Sequence, residues 1–174
     1  MLMATNKKRR KQLDAASGYL ILGMAERALC ELDRIEDARA VTGEFHSLKG
    51  EALRQLEDYD AALTAYGRAL AEQPTSIDLL MGMAWCYKRI GMVEQAIAAT
   101  EQAYRVAPQE PILIYNLACY YALNGEKSQA LSRLGRALRM DSSLRKLVAD
   151  ESDFDVLRDD PDFQLIINVM DDAD

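Results

Sequence analysis

Small and large apolar residues recur along this chain at helical spacing, and the helical segments themselves recur. Between residues 111 and 142, Ile114, Leu117, Ala118 and Tyr121 follow the i, i+3, i+4, i+7 rhythm of one helix face. Asn124-Gly125 interrupts that rhythm, and Ala130, Leu134 and Ala137 then line a second face. Gly and Asn tolerate the left-handed backbone with which many helices end, so the pattern predicts a helix, a tight turn and a second helix. Alanines where the helices cross let the backbones approach closely, while Tyr121 fills the space beside them.

The same hairpin is written three times. Gly50, Ala84 and Ala118 are 34 residues apart, as are Ala62, Ala96 and Ala130, and Ala69, Ala103 and Ala137. Pro74 and Pro108 share the spacing. Several columns at one period mean stacked units, each burying its apolar faces against a neighbour. Stepping the period back from Gly50 reaches Ala16 in AASGYLILGMAERALCEL, a degenerate first copy with Tyr19 and Ala28 in matching columns. The stretch RIEDARAVTG bridges this copy to the next.

The segments HSLKGEAL, ALTAYGRAL, LMGMAWCY, AIAATEQAY, IYNLACYY and ALSRLGRAL together resemble tetratricopeptide repeats. His46, Leu80 and Ile114 stand at the leading tryptophan of that pattern, and Lys49, Met83 and Leu117 at its leucine. Gly50, Ala84 and Ala118 take the glycine place, Leu53, Tyr87 and Tyr121 the tyrosine, and Tyr66, Thr100 and Leu134 the phenylalanine. The resemblance covers residues 43–142. The expected fold is all-α, a right-handed α-solenoid of about four helical hairpins with a C-terminal helical cap. Its parts are a basic, disordered leader over 1–12 and an array over 13–142, with units 13–42, 43–76, 77–110 and 111–144. Capping helices and an acidic tail follow over 145–174. In the cap, Ser152 and Asp160-Pro161 supply helix-start signals. Phe154, Leu157, Phe163, Ile166 and Ile167 would seal the end of the stack, with DDAD solvating the tail.

Composition narrows the function more than the fold. The chain has 174 residues, 49% hydrophobic and 28% charged, with a net charge of −7. Lys7, Lys8, Arg9, Arg10 and Lys11 are all basic, so the remainder is more acidic still. An acidic body argues against nucleic acid as the main partner, which needs a broad basic surface. The KKRRK run reads as a solvated leader rather than an import or anionic-surface tag. No apolar run approaches the ~20 residues of a membrane-spanning helix. The short apolar stretch after the basic run is broken by Asp14 and leads into Glu26 and Arg27, so it reads as a first helix rather than a signal peptide. Cys30, Cys86 and Cys119 are widely spaced without a CxxC pair, which fits neither a disulfide framework nor a zinc site. Each is expected to be a small buried hydrophobe, and the location to be cytoplasmic.

Catalytic chemistry is sparse. His46 is the single histidine and occupies a repeat-interior column, which favours a packed side chain over a base. No phosphate-cradling loop, HExxH, GxSxG or EF-hand pattern occurs. The pairs Asp159-Asp160 and Asp171-Asp172 read as helix-start charge and a solubilising end rather than a metal site. The expectation is a non-enzyme with no cofactor and no metal.

In proteins that this chain resembles, a second stripe on the first helix of each unit lines a groove for peptide segments. Carried over position by position, that stripe is Glu44, Ser47, Glu51 and Arg54 in the second unit. It is Asp78, Met81, Trp85 and Lys88 in the third, and Ile112, Tyr115, Cys119 and Ala122 in the fourth. Leu13, Ser17 and Leu20 extend it into the first. Trp85 either faces this groove as a binding anchor or packs between neighbouring repeats; the residues leave both open. The Lys and Asn residues with which related repeats clamp a chaperone's terminal carboxylate are missing, and Glu51 would repel one. The expected partner is a protein segment with an apolar or aromatic anchor and a basic flank meeting Glu44, Glu51 or Asp78. The leading reading is therefore a protein-protein interaction module or scaffold. The alternatives are a homo-oligomeric scaffold and a helper subunit of a larger complex.

Overall fold

The computed structural model describes residues 2–35 and 42–168, and every regular element among them is helical. The bridge over 36–41 and the DDAD tail lie outside the described residues. The chain packs as two compact units, Met1–Ile90 and Gly91–Asp174.

The first unit holds α1 (Leu2–Ile21), α2 (Ala25–Asp33), α3 (Thr42–Gln55), α4 (Tyr59–Glu72) and α5 (Ile77–Arg89). α1 packs on α2 and α3, and α3 packs on α4 and α5. Leu13, Ala16 and Leu20 of α1 form a buried cluster with Ala28 and Leu32 of α2. The basic run does not form a disordered leader: Lys7–Lys11 lie within α1. Lys and Arg are good helix formers, and Arg10 bridges Asp14 one turn on at 2.9 Å and Glu44 of α3 at 3.0 Å.

A second cluster in this unit centres on Tyr66, with Ala62, Ala69, Leu79 and Cys86 around it. Its ring lies so close to α3 and α5 that a Cβ on Gly50 would meet it at 2.6 Å, and one on Gly82 at 2.9 Å. A large side chain in the phenylalanine column is thus matched by missing side chains opposite. Burial of that thick aromatic joint draws α3, α4 and α5 together. Local signals set the helix starts: the Asp58 carboxylate accepts the Ala61 N–H, and Ser76 Oγ accepts that of Leu79.

The second unit holds α6 (Val93–Val106), α7 (Pro111–Leu123) and α8 (Lys127–Met140), followed by the cap. Thr100, buried in the phenylalanine column of α6, satisfies its hydroxyl by donating to the Ala96 carbonyl at 2.8 Å. The cap comprises a 3-10 turn (Ser142–Leu144), α9 (Arg145–Asp150), a 3-10 helix (Ser152–Leu157) and α10 (Pro161–Asn168). The 3-10 helix packs on α7, and α10 packs on α8. Phe154, Leu157 and Phe163 are buried, whereas Ile166 and Ile167 are half-buried. Glu151, not Ser152, starts the 3-10 helix by accepting the Asp153 N–H, and Asp160 caps α10 through Asp162 and Phe163.

Candidate interaction surface

The stripe expected to line a groove has a different character in each unit. On α3 and α5, Glu44, Ser47, Glu51, Arg54, Met81, Trp85 and Lys88 are half-buried, and Asp78 is exposed. On α7, Ile112 is exposed, but Tyr115 and Cys119 are only 3% and 2% accessible, and Ala122 is buried as well. The open surface on Tyr115 and Cys119 that their register implied is absent. The 3-10 helix of the cap lies over α7, and Phe154 meets the Tyr115 ring edge-on at 5.8 Å. Phe163 follows at 5.6 Å from Phe154. Burial raises the Tyr115 hydroxyl far above its ordinary pKa, with the neighbouring Cys119, Glu151 and Asp153 adding to the effect.

Beneath that cover, Cys119, Glu151 and Asp153 bring one potential ligand atom each within 4.8 Å of one another. One thiol and two carboxylates are not the four-ligand nitrogen and sulfur set of a structural zinc site. None of the three is without an interaction in the protein, and Glu151 accepts the Asp153 N–H within the cap.

Trp85 is neither a bare anchor nor a core residue. It is half-buried at the edge of the Tyr66 cluster, where Tyr59, the first residue of α4, meets it edge-on at 5.4 Å and 72°. Two guanidiniums flank the indole: Arg54 lies 4.9 Å and Arg89 5.4 Å from its centroid. Arg89 also lies 5.6 Å from the Tyr59 ring. Cations over an indole face are attracted by its quadrupole, by about 0.5–1 kcal/mol where exposed. Arg89 and Tyr59 lie off the stripe that repeat register defines. The one-turn spacing of Trp85 and Arg89 on α5 is the signal that would have found the arginine.

Two of the three acids thought to orient a basic partner are already neutralised. Glu44 pairs with Arg10, and Glu51 accepts Arg54 Nε at 2.9 Å and Nη2 at 2.5 Å. Gln55 at 3.0 Å and the Tyr66 hydroxyl at 2.9 Å complete the Glu51 shell. Burial opposes ionisation of Glu51, but these donors outweigh it and hold the carboxyl below its ordinary value. Of the three acids named, Asp78 alone stays exposed. Cys86 is buried beneath the same network, and burial pushes its thiol up to about 11. Cys30, expected to be buried, is exposed, because it points away from the α2 face that carries Ala25, Ala28 and Leu32. His46 packs edge-on against Phe45 at 5.1 Å, and burial, then Arg68 and Lys49, lower its pKa.

Comparison with known proteins agrees with this architecture. The tetratricopeptide repeat family matches residues 53–111. No curated protein sequence matches the chain. Among solved structures, MamA is similar at 21% identity over 83% of this chain and 85% of that one, with a TM-score of 0.73. MamA 41-end from Desulfovibrio magneticus RS-1 is similar at 19% identity over 96% and 97%, with a TM-score of 0.73. YrrB, described as a TPR protein with an unusual peptide-binding site, is similar at 20% identity over 78% and 70%, with a TM-score of 0.70. At such identities these likenesses establish the fold.

Proposed function

We propose, starting from the chain's likeness to tetratricopeptide repeats, that it is a non-catalytic module that binds a segment of a partner protein along the first-helix stripe of α3 and α5. The observation that carries this reading is the half-buried Trp85, held in place by Tyr59, Arg54 and Arg89 with part of its surface open to solvent. An aromatic side chain immobilised before binding loses little entropy on contact, which is the character of an interface anchor. The peptide-binding site ascribed to YrrB is consistent with that use of the fold. An apolar side chain of the partner rests against Trp85, with Met81 on the same helix stripe. Three free cysteines suit a reducing compartment such as the cytoplasm.

A photo-cross-linking residue placed at Met81 should capture partner protein, while the same residue at Gly67, exposed on α4, should not. Equal yields from both positions, or none from either, would remove the stripe as the binding surface.

Self-assembly is a second reading, and one observation favours it. Ile21 and Leu22, at the turn between α1 and α2, are 83% and 68% exposed. A second copy that covered this pair would remove its apolar surface from water.

A further inference from the structure

We propose that Arg89 receives a carboxylate from the bound segment, so that the partner's flank at Trp85 is acidic rather than basic. The inference rests on the interaction-module reading and gives it a sign of charge. Two arginines share the Trp85 indole, and they differ in one respect. Arg54 directs its Nε and Nη2 donors at the Glu51 carboxylate, a two-point fork on a single acid. Arg89 has the same aromatic support, from Trp85 and from Tyr59, but among the described residues no carboxylate pairs with it.

The geometry of a guanidinium makes this difference matter. Its faces stack on aromatic rings, whereas its five N–H donors lie in its plane and point outward. Cation–π contact with Trp85 and Tyr59 therefore holds Arg89 beside the indole without using its hydrogen-bond donors. The group is exposed at the last residue of α5, where a positive charge also suits the helix end. The Arg54–Glu51 pair shows, on the same indole, the chemistry that Arg89 lacks: an Asp or Glu carboxylate taken two-pronged. Charge complementarity thus selects an acidic peptide segment in which an apolar side chain rests on Trp85 and a neighbouring carboxylate meets Arg89. With Glu44 and Glu51 already neutralised by Arg10 and Arg54, a basic flank finds no comparable partner on α3.

The test uses the full chain and an array of nonapeptides with a central Leu or Phe and flanks drawn from Asp/Glu, Ser/Gln or Lys/Arg. Trp85 is the only tryptophan, so its fluorescence reports directly on occupancy. Acidic peptides should bind best, and Arg89→Gln should weaken them about tenfold or more, with Arg89→Lys recovering only part. Arg89→Glu should turn the preference toward the Lys/Arg set, an outcome that a purely structural arginine would not produce. Arg105→Gln, an exposed arginine on α6, should change nothing. If neutral or basic peptides bind Trp85 equally well, or Arg89→Glu keeps the acidic preference, the charge assignment falls and the interaction module stands. If no peptide of any set perturbs Trp85, both fall.

Discussion

Glu57 occupies a backbone position that the other three repeats give to glycine. Gly23, Gly91 and Gly125 have φ of 69°, 78° and 76°, and Glu57, in the same column, has φ of 61°. A residue with a Cβ is strained in that left-handed region by about 1–2 kcal/mol. Glu57→Gly should therefore stabilise the protein by about 0.5–1 kcal/mol, the remainder being offset by glycine's greater freedom when unfolded, and should raise the melting temperature. The Tyr66 joint makes the opposite demand. Gly50→Ala places a methyl group 2.6 Å from the Tyr66 ring and should cost about 1–3 kcal/mol in denaturant titration. Adding Tyr66→Leu should recover part of that loss, because the second unit already combines Ala118 with Leu134 in these columns. Glu51 supplies a pH signature. Its folded pKa lies below the ordinary 4.5, so its stabilisation is complete above that value and is lost as pH falls through the lower folded value. The melting temperature should drop on acidification through that range, and Glu51→Gln should show a smaller drop.

At the scale of elements, the cap decides which part of the stripe is open. The six-residue 3-10 helix places Phe154, 0% exposed, over Tyr115 on α7. Phe154→Ala should cost about 3–5 kcal/mol, and its local consequence is readable in the thiols. In the unaltered protein Cys30 should react with a thiol reagent far faster than buried Cys86 and Cys119. Phe154→Ala should accelerate Cys119 on α7 and leave Cys86 on α5 slow. Equal acceleration of both would mean general unfolding rather than an opened cap. The same element turns two expected binding residues into packing, since a hairpin at the end of an array has an apolar face that needs cover.

For the molecule as a whole, a net charge of −7 and an exposed Ile21–Leu22 pair pull in different directions. Like charge keeps copies apart at low salt, and screening removes that barrier. If assembly runs through the α1–α2 turn, light scattering should show it strengthening from low to high salt and vanishing in Ile21→Lys. Assembly that weakens with salt would instead point to contacts between basic α1 and an acidic surface of another copy.

Periodicity determined the helical hairpins and their 34-residue register, and helix-start signals with apolar residues beyond the last repeat gave Phe154 and Phe163 a capping role. Periodicity could do so because a stack of like units must put small residues at every helix crossing, and that demand repeats in the sequence. A glutamate in the glycine column hides the left-handed turn at Glu57, and the helical basic run depends on Asp14 and on Glu44, a partner 34 residues distant from Arg10. Only the tertiary structure decided what each stripe residue does. Glu51 and Trp85 share one helix register with Tyr115 and Cys119, yet the first pair lies partly open among arginines and the second lies under the cap. Register assigns a side chain to a face. What covers that face, and which charges meet it, comes from elements distant in the sequence, as the separation of Arg10 from Glu44 and of Tyr115 from Phe154 shows.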